Sequence, residues 1–135
     1  MELSKSEINR KINQYTFCDQ LCLGNFVFDE EKRVLTLNEQ SYFLRSKVFQ
    51  ILCFLIYAKG RLVHRDVLVS SIWPNNEAVG QKSLTHGICM LRRVFSLDRD
   101  KSANILTVSK TGYRLILDTG NESSEHPTQA NIRVA

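Results

Sequence analysis

The sequence predicts an α+β fold in which an N-terminal antiparallel sheet precedes three helices and a C-terminal hairpin. Three observations indicate this order of elements. Residues 21–44 alternate between apolar and polar types, as half-buried strands do. Residues 46–95 carry apolar residues at helical spacing, with breaks near Gly60 and Pro74. Residues 105–117 alternate again on both sides of a short turn.

The sheet is predicted from three alternating segments. Residues 21–29 (LCLGNFVFD) and 33–38 (RVLTLN) form two strands, and residues 41–44 form a third, shorter one. Polar turns separate these segments, so we expect an antiparallel meander. Residues 1–20 are polar, with a few apolar residues at helical spacing, and are predicted to be an N-terminal extension that contains a short helix.

Two helices with a core-facing side follow the strands. Ser46 is predicted to be the N-cap of the first, and Lys59-Gly60 is predicted to end it, with Gly60 at positive φ. Its predicted inward residues are Val48, Ile51, Leu52, Leu55 and Ile56. The second helix covers residues 65–73 and stops at Pro74, because the residue before a proline is disfavoured in a helix. Its predicted core residues are Val67, Leu68, Ile72 and Trp73.

The third helix, residues 79–95 (VGQKSLTHGICMLRRVF), carries most of the functional prediction. Its apolar residues fall within about 60° of one another on a helix; they are Leu84, Ile88, Leu91 and Phe95. The other side offers hydrogen-bond donors and positive charge without a carboxylate, on Lys82, Thr85, His86, Cys89, Met90, Arg92 and Arg93. Such a side fits a DNA major groove, although most basic helix faces are simply solvated.

The charge distribution favours a polyanionic partner. The chain has a net charge of +4, yet residues 79–114 carry seven lysines and arginines against two aspartates, a local charge of +5. The positive field is therefore concentrated on one segment. The longest apolar run, residues 48–58, is far shorter than the ~20 residues that cross a bilayer, and the N-terminus lacks the pattern of a secretory signal. We therefore predict a cytoplasmic location.

The C-terminal hairpin completes the predicted domain. Residues 105–108 and 113–117 form its strands, and Gly112 is expected at positive φ in the turn beside Lys110. A pair of helices followed by such a hairpin is a helix-turn-helix with a wing. Residues 118–135 are polar, with only isolated apolar residues, and are predicted to be a flexible tail or linker.

Several short segments, in this order and at these separations, resemble a known family. They are Leu44-Arg45-Ser46, Gly60-Arg61-Leu62-Val63-His64-Arg65, Ser71-Ile72-Trp73-Pro74, Val79, Lys82-Ser83-Leu84, Ile88, Leu91-Arg92-Arg93, Ile105-Leu106-Thr107-Val108 and Thr111-Gly112-Tyr113-Arg114-Leu115. Residues 21–117 thereby resemble the OmpR/PhoB-type winged-helix DNA-binding domain. The resemblance implies a four-stranded N-terminal sheet, a recognition helix at residues 79–95 in the major groove, and a wing at residues 105–117 on the adjacent backbone or minor groove.

The resemblance also implies a set of DNA-binding residues. They are Lys82, Ser83, Thr85, His86, Cys89, Met90, Arg92, Arg93, Ser109, Lys110 and Thr111. The loop 75–80 matches the surface with which the family contacts RNA polymerase. Cys89 and Met90 depart from the arginine or serine of many members, and neither makes a bidentate contact with guanine. Sequence readout is therefore either weak or dependent on thymine methyl groups and DNA shape.

The predicted function is that of a bacterial transcriptional regulator that binds double-stranded DNA sequence-specifically. Residues 1–20 are too few for a receiver domain, which places the chain nearer the receiver-less CadC/ToxR-like branch. Either a fragment of a membrane-anchored regulator or a small stand-alone regulator fits, and self-association on tandem sites stays open. The alternative is a winged helix that uses Cys89 and Met90 to bind another protein and modulates a regulator without base readout.

Neither catalysis nor a bound metal is expected. His64, His86 and His126 lie in separate segments, and the chain has no Ser/His/Asp set, phosphate-binding glycine loop or close carboxylate pair. Cys18 and Cys22 are four residues apart but lack a second ligand pair at zinc spacing. We therefore predict reduced thiols, with a redox pair or a metal site as alternatives, and no enzyme activity or cofactor. Arg65 has two interpretations, a pair with a nearby acid or a phosphate contact.

Overall fold

The computed structural model describes residues 20–118, which form two antiparallel sheets with three helices packed between and beside them. The elements in chain order are β1 (Gln20–Leu23), β2 (Phe26–Asp29), β3 (Val34–Leu37), β4 (Gln40–Phe43), α1 (Ser46–Tyr57), β5 (Val63–His64), α2 (Arg65–Ile72), α3 (Glu77–Phe95), β6 (Ala103–Val108) and β7 (Gly112–Leu117). The strand orders are β1-β2-β3-β4 and β5-β7-β6. The helix predicted within residues 1–20 and nearly all of the tail predicted at 118–135 lie outside the described residues.

The predicted α+β winged-helix fold is confirmed, with one change in the N-terminal sheet. The segment 21–29, predicted as a single strand, is a hairpin of β1 and β2 in which Leu23 pairs with Phe26. Gly24 turns the chain at a φ of +63°, and a side chain there would collide with Ser102. The alternation of residue types continues across this tight turn, so the sequence pattern did not predict the turn. The four strands implied by the family resemblance are present.

Three helix boundaries differ from the prediction. Ser46 is the first residue of α1, not its N-cap; Arg45 occupies the cap position without a side-chain cap hydrogen bond. The helix α1 ends at Tyr57, and Gly60 has the expected positive φ of +85°. The helix α3 begins at Glu77, because the Asn76 side chain caps it by accepting a hydrogen bond from the Val79 N–H at 3.1 Å.

The early start of α3 shortens the predicted loop 75–80. Residues 77–80 are helical, so only residues 73–76 connect α2 to α3. This correction also places a carboxylate, that of Glu77, in the first turn of the helix. Glu77 lies about 120° or more around the helix from Lys82, His86, Cys89 and Arg93, so the side that these four residues share still carries no carboxylate.

The core joins the helices to both sheets. The four α3 residues predicted to face inward are at most 2% exposed; they are Leu84, Ile88, Leu91 and Phe95. The Phe95 ring packs edge-on against Phe26 of β2, with ring centroids 5.4 Å apart. In α2 the prediction was wrong for Val67, which is 45% exposed, whereas Val69 is buried in its place. The prediction chose the wrong buried side of α2 because a helix of eight residues is too short to display a clear period.

Gly112 is needed for close approach and not for a turn. Its φ is not positive, and Lys110 adopts the left-handed conformation in the hairpin turn, with a φ of +58°. Gly112 pairs with His64 of β5, and a Cβ at Gly112 would lie 2.9 Å from the His64 Cα and still closer to the Val63 carbonyl oxygen. The prediction of positive φ at Gly112 was therefore wrong, since contact with β5 is what excludes a side chain.

A buried carboxylate ties the loop after α3 to the N-terminal sheet. Asp98 is 6% exposed and accepts hydrogen bonds from the Asn25 side chain, from the Asp100 and Ser102 N–H groups, and from the Ser102 hydroxyl. Burial by itself raises the pKa of Asp98, but these hydrogen bonds outweigh it and hold the pKa below its ordinary range. Asp98 therefore stays ionised and connects the β1–β2 turn to the start of β6.

Candidate nucleic-acid interface

The outward side of α3 divides into three strips with different surroundings. Residues spaced by three and four positions share a strip, because each residue advances about 100° around the helix. One strip points away from the protein, one faces α1, and one faces the hairpin of β6 and β7. The DNA-binding residues predicted on α3 are distributed over all three strips.

The strip that points away from the protein forms the cationic ridge, which consists of Lys82, His86, Cys89 and Arg93. All four residues are exposed. Within residues 20–118 their side chains have no hydrogen-bond or ion-pair partner. They lie within about 60° of one another around the helix. The structure thus brings these four predicted residues together on one accessible surface.

The strip that faces α1 carries Ser83 and Met90. Both are half-buried, and both line an open groove between α3 and the N-terminal end of α1. Their exposed atoms lie at the edge of the cationic ridge. A partner that covers the ridge would reach them only at its margin.

The strip that faces the hairpin is already bonded within the protein. The Arg92 Nε and Nη2 donate to the Ile105 carbonyl oxygen at 3.0 and 2.7 Å, and Nη2 also lies 2.6 Å from the Thr107 hydroxyl oxygen. Thr85 accepts a hydrogen bond from the Arg65 Nη2 at 2.8 Å. Arg92 and Thr85 therefore join α3 to neighbouring elements, a role that the sequence did not reveal.

Arg65 pairs with no acidic residue within residues 20–118, and its interpretation as a phosphate contact stays a prediction. Its guanidinium donates to the Gln81 side-chain oxygen and carbonyl oxygen, each at 2.6 Å, and to the Tyr113 hydroxyl at 2.7 Å. These partners are neutral and belong to α3 and β7. Arg65 therefore connects the beginning of α2 to the recognition helix and to the hairpin. No sequence signal identifies this network, since its partners lie up to 48 positions apart.

The hairpin tip presents the remaining predicted residues. Ser109 and Lys110 are exposed, and Thr111 is half-buried. The Thr111 carbonyl oxygen accepts a hydrogen bond from the Arg65 N–H at 2.9 Å, which attaches the base of the tip to the start of α2. The Lys110 ammonium has no partner within the described part of the chain. The tip is therefore a supported turn that carries one available positive charge.

The electrostatics of the interface come from lysines, arginines and the helix itself. Lys82, Arg93 and Lys110 supply unpaired positive charge, while Cys89 and Met90 add polarisable apolar surface. Arg92 and Arg93 lie in the last turn of α3, where the helix dipole favours cations. No group of three histidine, cysteine or acidic side chains approaches metal-binding geometry in residues 20–118.

A family model described as "Transcriptional regulatory protein, C terminal" matches residues 39–115, which is more than half of the chain. The chain belongs to this family. This family is the OmpR/PhoB-type DNA-binding domain of transcription regulators, so the resemblance stated from the sequence is confirmed. The matched range includes α1, α2, the whole of α3 and almost all of the hairpin.

Relatives of this OmpR/PhoB-type domain are bacterial regulators. The transcriptional regulatory protein RprY of Bacteroides fragilis is 28% identical over 94 residues, covering 70% of this chain and 39% of RprY. The transcriptional regulator HilA of Salmonella typhi is 34% identical over 97 residues, covering 66% of this chain and 16% of HilA. The chain thus spans less than half of the length of these relatives.

A solved structure shows the same fold. The DNA-binding domain of E. coli CadC superposes with a TM-score of 0.59, covering 71% of this chain and 90% of that chain, at 24% sequence identity. The four-stranded sheet, three helices and hairpin of the OmpR/PhoB type are therefore shared with CadC. Among residues 20–118, no helix is long and apolar enough to cross a membrane.

Proposed function

We propose that this protein binds double-stranded DNA sequence-specifically and regulates transcription, with α3 in the major groove. The observation that carries the proposal is the cationic ridge of Lys82, His86, Cys89 and Arg93, which is exposed and unpaired within residues 20–118. Membership in a family of DNA-binding regulator domains supports it. The relatives are regulators by their names, and that activity is extended to this chain as part of the proposal.

The shape and support of α3 favour this mode of binding. The helix has 19 residues and is therefore about 28 Å long, and a major groove is wide enough to admit an α-helix. Arg92 holds α3 to the hairpin, and Arg65 holds it to α2, along the strip beside the ridge. A helix that is held in this way can enter the groove without losing much conformational freedom.

The three strips of α3 and the hairpin tip receive different roles in the proposal. Lys82 and Arg93 contact phosphates or guanine edges, and His86 contacts a base edge. Cys89 and Met90 contact thymine methyl groups, because neither side chain supports a bidentate hydrogen bond. Arg92, Thr85 and Thr111 position the interface from within, and Ser83 lies at its margin. Ser109 and Lys110 contact the backbone or minor groove next to the site.

Contacts with other proteins are a separate part of the proposal. The exposed connection at residues 73–76, with Glu77 at the start of α3, is the surface offered to RNA polymerase. Two copies associate on tandem sites if the target proves to contain direct repeats. Catalysis is not part of the proposed function.

The test begins with selection of bound sites from random duplexes by the full 135-residue chain. Fluorescence anisotropy then measures the affinity for the selected site as a function of salt. Each phosphate contact contributes about −0.9 to the slope of log K against log salt, so Lys82→Ala should make the slope shallower by about 0.9. Lys32→Ala, in the exposed β2–β3 turn, removes a charge that is outside the proposed contact surface, so it is the matched control and should leave the slope unchanged.

Two results would overturn the proposal. One is the absence of duplex binding at about 50 mM salt, where electrostatic binding is strong. The other is equal loss of affinity for Lys82→Ala and Lys32→Ala, because the proposed contacts lie on α3 and the hairpin tip and do not include the β2–β3 turn. A selection that returns no enriched sequence, with binding intact, would reduce the function to nonspecific DNA binding.

A further inference from the structure

An open groove of about 800 Å³ runs between the N-terminal end of α1 and the side of α3 that carries Met90. Its floor and walls are mostly apolar. Phe43 forms one wall and is 68% exposed, more than any other large hydrophobic side chain in residues 20–118. Met90 and Val94 of α3 face it across a floor that includes Ile51. Concave, mostly apolar clefts with a few polar groups at their edge are the usual form of a binding site.

The rim of the groove is positively charged. Arg45, Lys47 and Arg93 supply this charge, His86 lies beside them, and none of the described lining residues is an aspartate or a glutamate. Lys47 donates to the Ile72 carbonyl oxygen at 3.1 Å and lies 5.7 Å from the centre of the Trp73 ring. Arg45 and Arg93 have no side-chain partner within residues 20–118. Two unpaired guanidinium groups therefore flank an apolar floor.

We propose that this groove binds an acidic segment of a partner protein that inserts bulky apolar side chains. Carboxylates on the segment pair with Arg45 and Arg93, and leucine or phenylalanine side chains cover Phe43 and Met90. An amphipathic helix laid in a groove is the usual form of such binding. Duplex DNA is a poorer occupant, because its phosphates match the rim but it has little apolar surface for the floor.

The position of the groove makes the partner and DNA compete. His86 and Arg93 belong both to the rim and to the cationic ridge on which the proposed DNA contact depends. A segment whose carboxylates occupy Arg93 removes a charge that DNA requires and covers the edge of α3. The acidic segment therefore acts as an antagonist of DNA binding, a function beyond the one proposed above.

The test uses ¹⁵N-labelled full chain and a synthetic peptide probe. The probe has about 16 residues, with leucine or phenylalanine at positions i, i+3, i+4 and i+7 and glutamate at most other positions. A control peptide has the same charge with every leucine and phenylalanine replaced by alanine. We expect amide shifts confined to the groove, affinity at least about tenfold higher for the probe than for the control, and displacement of bound duplex by the probe.

Variants assign the binding to the groove. Phe43→Ser should weaken the probe about fivefold or more, since a wall of the groove is removed, and should leave the affinity for duplex unchanged. Leu97→Ser removes an apolar side chain that is 50% exposed at another surface and should change neither affinity. Both residues are exposed, so the folded state is expected to tolerate both changes.

Three outcomes would overturn the inference. Equal affinity for the probe and the alanine control would show a surface for polyanions, and DNA would then be the better occupant. Groove shifts that appear on raising the protein concentration without peptide would identify a second copy of the chain. No shift at about 1 mM probe, a concentration that detects very weak binding, would leave the groove without this ligand class. If this protein binds the probe but does not bind duplex DNA, the inference about the groove is supported and the proposed DNA function is rejected.

Discussion

Arg92 provides the sharpest test of how the interface is organised. The family resemblance implies that Arg92 contacts DNA, whereas the structure directs its guanidinium to the Ile105 carbonyl oxygen and the Thr107 hydroxyl. The substitution Arg92→Met keeps most of the aliphatic stem and removes every donor, so that lost packing contributes little. Its neighbour Arg93 is exposed and lacks a side-chain partner in residues 20–118, which makes Arg93→Met a matched control.

The size of the effect follows from the bonds that are lost. A hydrogen bond that involves a charged group contributes about 1.5–3 kcal/mol. Arg92 bonds two acceptors, but it is half-buried, and the exposed Thr107 hydroxyl can bond to water after the change. We therefore expect a loss of about 2 kcal/mol in the free energy of unfolding. For a domain of this size that corresponds to a fall in Tm of about 8–16 °C.

Two measurements separate positioning from phosphate contact. Thermal unfolding should show the loss in Tm for Arg92→Met and a change within about 4 °C for Arg93→Met. Anisotropy titrations should show an unchanged salt slope for Arg92→Met, with affinity reduced by a similar factor at every salt concentration. For Arg93→Met the slope should become shallower by about 0.9. The reverse pattern, an unchanged Tm and a shallower slope for Arg92→Met, would refute the positioning role.

Three further predictions concern stability and thiol reactivity. Asp98→Asn should cost about 2 kcal/mol at neutral pH. Because the folded-state pKa of Asp98 is lowered, this contribution is present above the ordinary aspartate pKa and is lost as pH falls, so urea denaturation curves of wild type and variant should converge in acid. Gly112→Ala should destabilise by about 1–3 kcal/mol in the same assay, because its Cβ meets the backbone of β5, whereas Ser109→Ala should have little effect. Burial, followed by the charge of Glu30, raises the pKa of Cys53 to about 11. Mass spectrometry should therefore find Cys53 alkylated by iodoacetamide near pH 8 far more slowly than exposed Cys89, and equal rates would contradict this difference.

Much of the fold was accessible from local patterns. The four large apolar residues buried in α3 share a helical phase, and that phase survives in any context where one side of the helix meets a core. The prediction failed where a helical pattern was too short to show its period, and where the alternation of a strand continued across a turn. Val67 was assigned to the wrong side of an eight-residue helix, and the turn at Gly24 was missed because alternation continues on both sides of it.

The candidate site divides in the same way. The outward positions of Lys82, His86, Cys89 and Arg93 follow from their spacing relative to the apolar residues. The groove between α1 and α3 does not, since Phe43 and Arg45 are far from Met90 in the chain. Packing of α1 against α3 creates the groove. The spacing of residues within one helix does not predict which other element packs beside that helix.

The amino-acid order by itself determined which side of each long helix is buried and where positive charge accumulates, because burial and charge are properties of single side chains at known spacing. Only the tertiary structure decided which outward polar groups remain available. Arg92 meets a carbonyl group 13 positions away, and Arg65 meets a hydroxyl 48 positions away. A hydrogen bond needs a partner within about 3 Å, and distances of that kind are set by how the elements pack against one another.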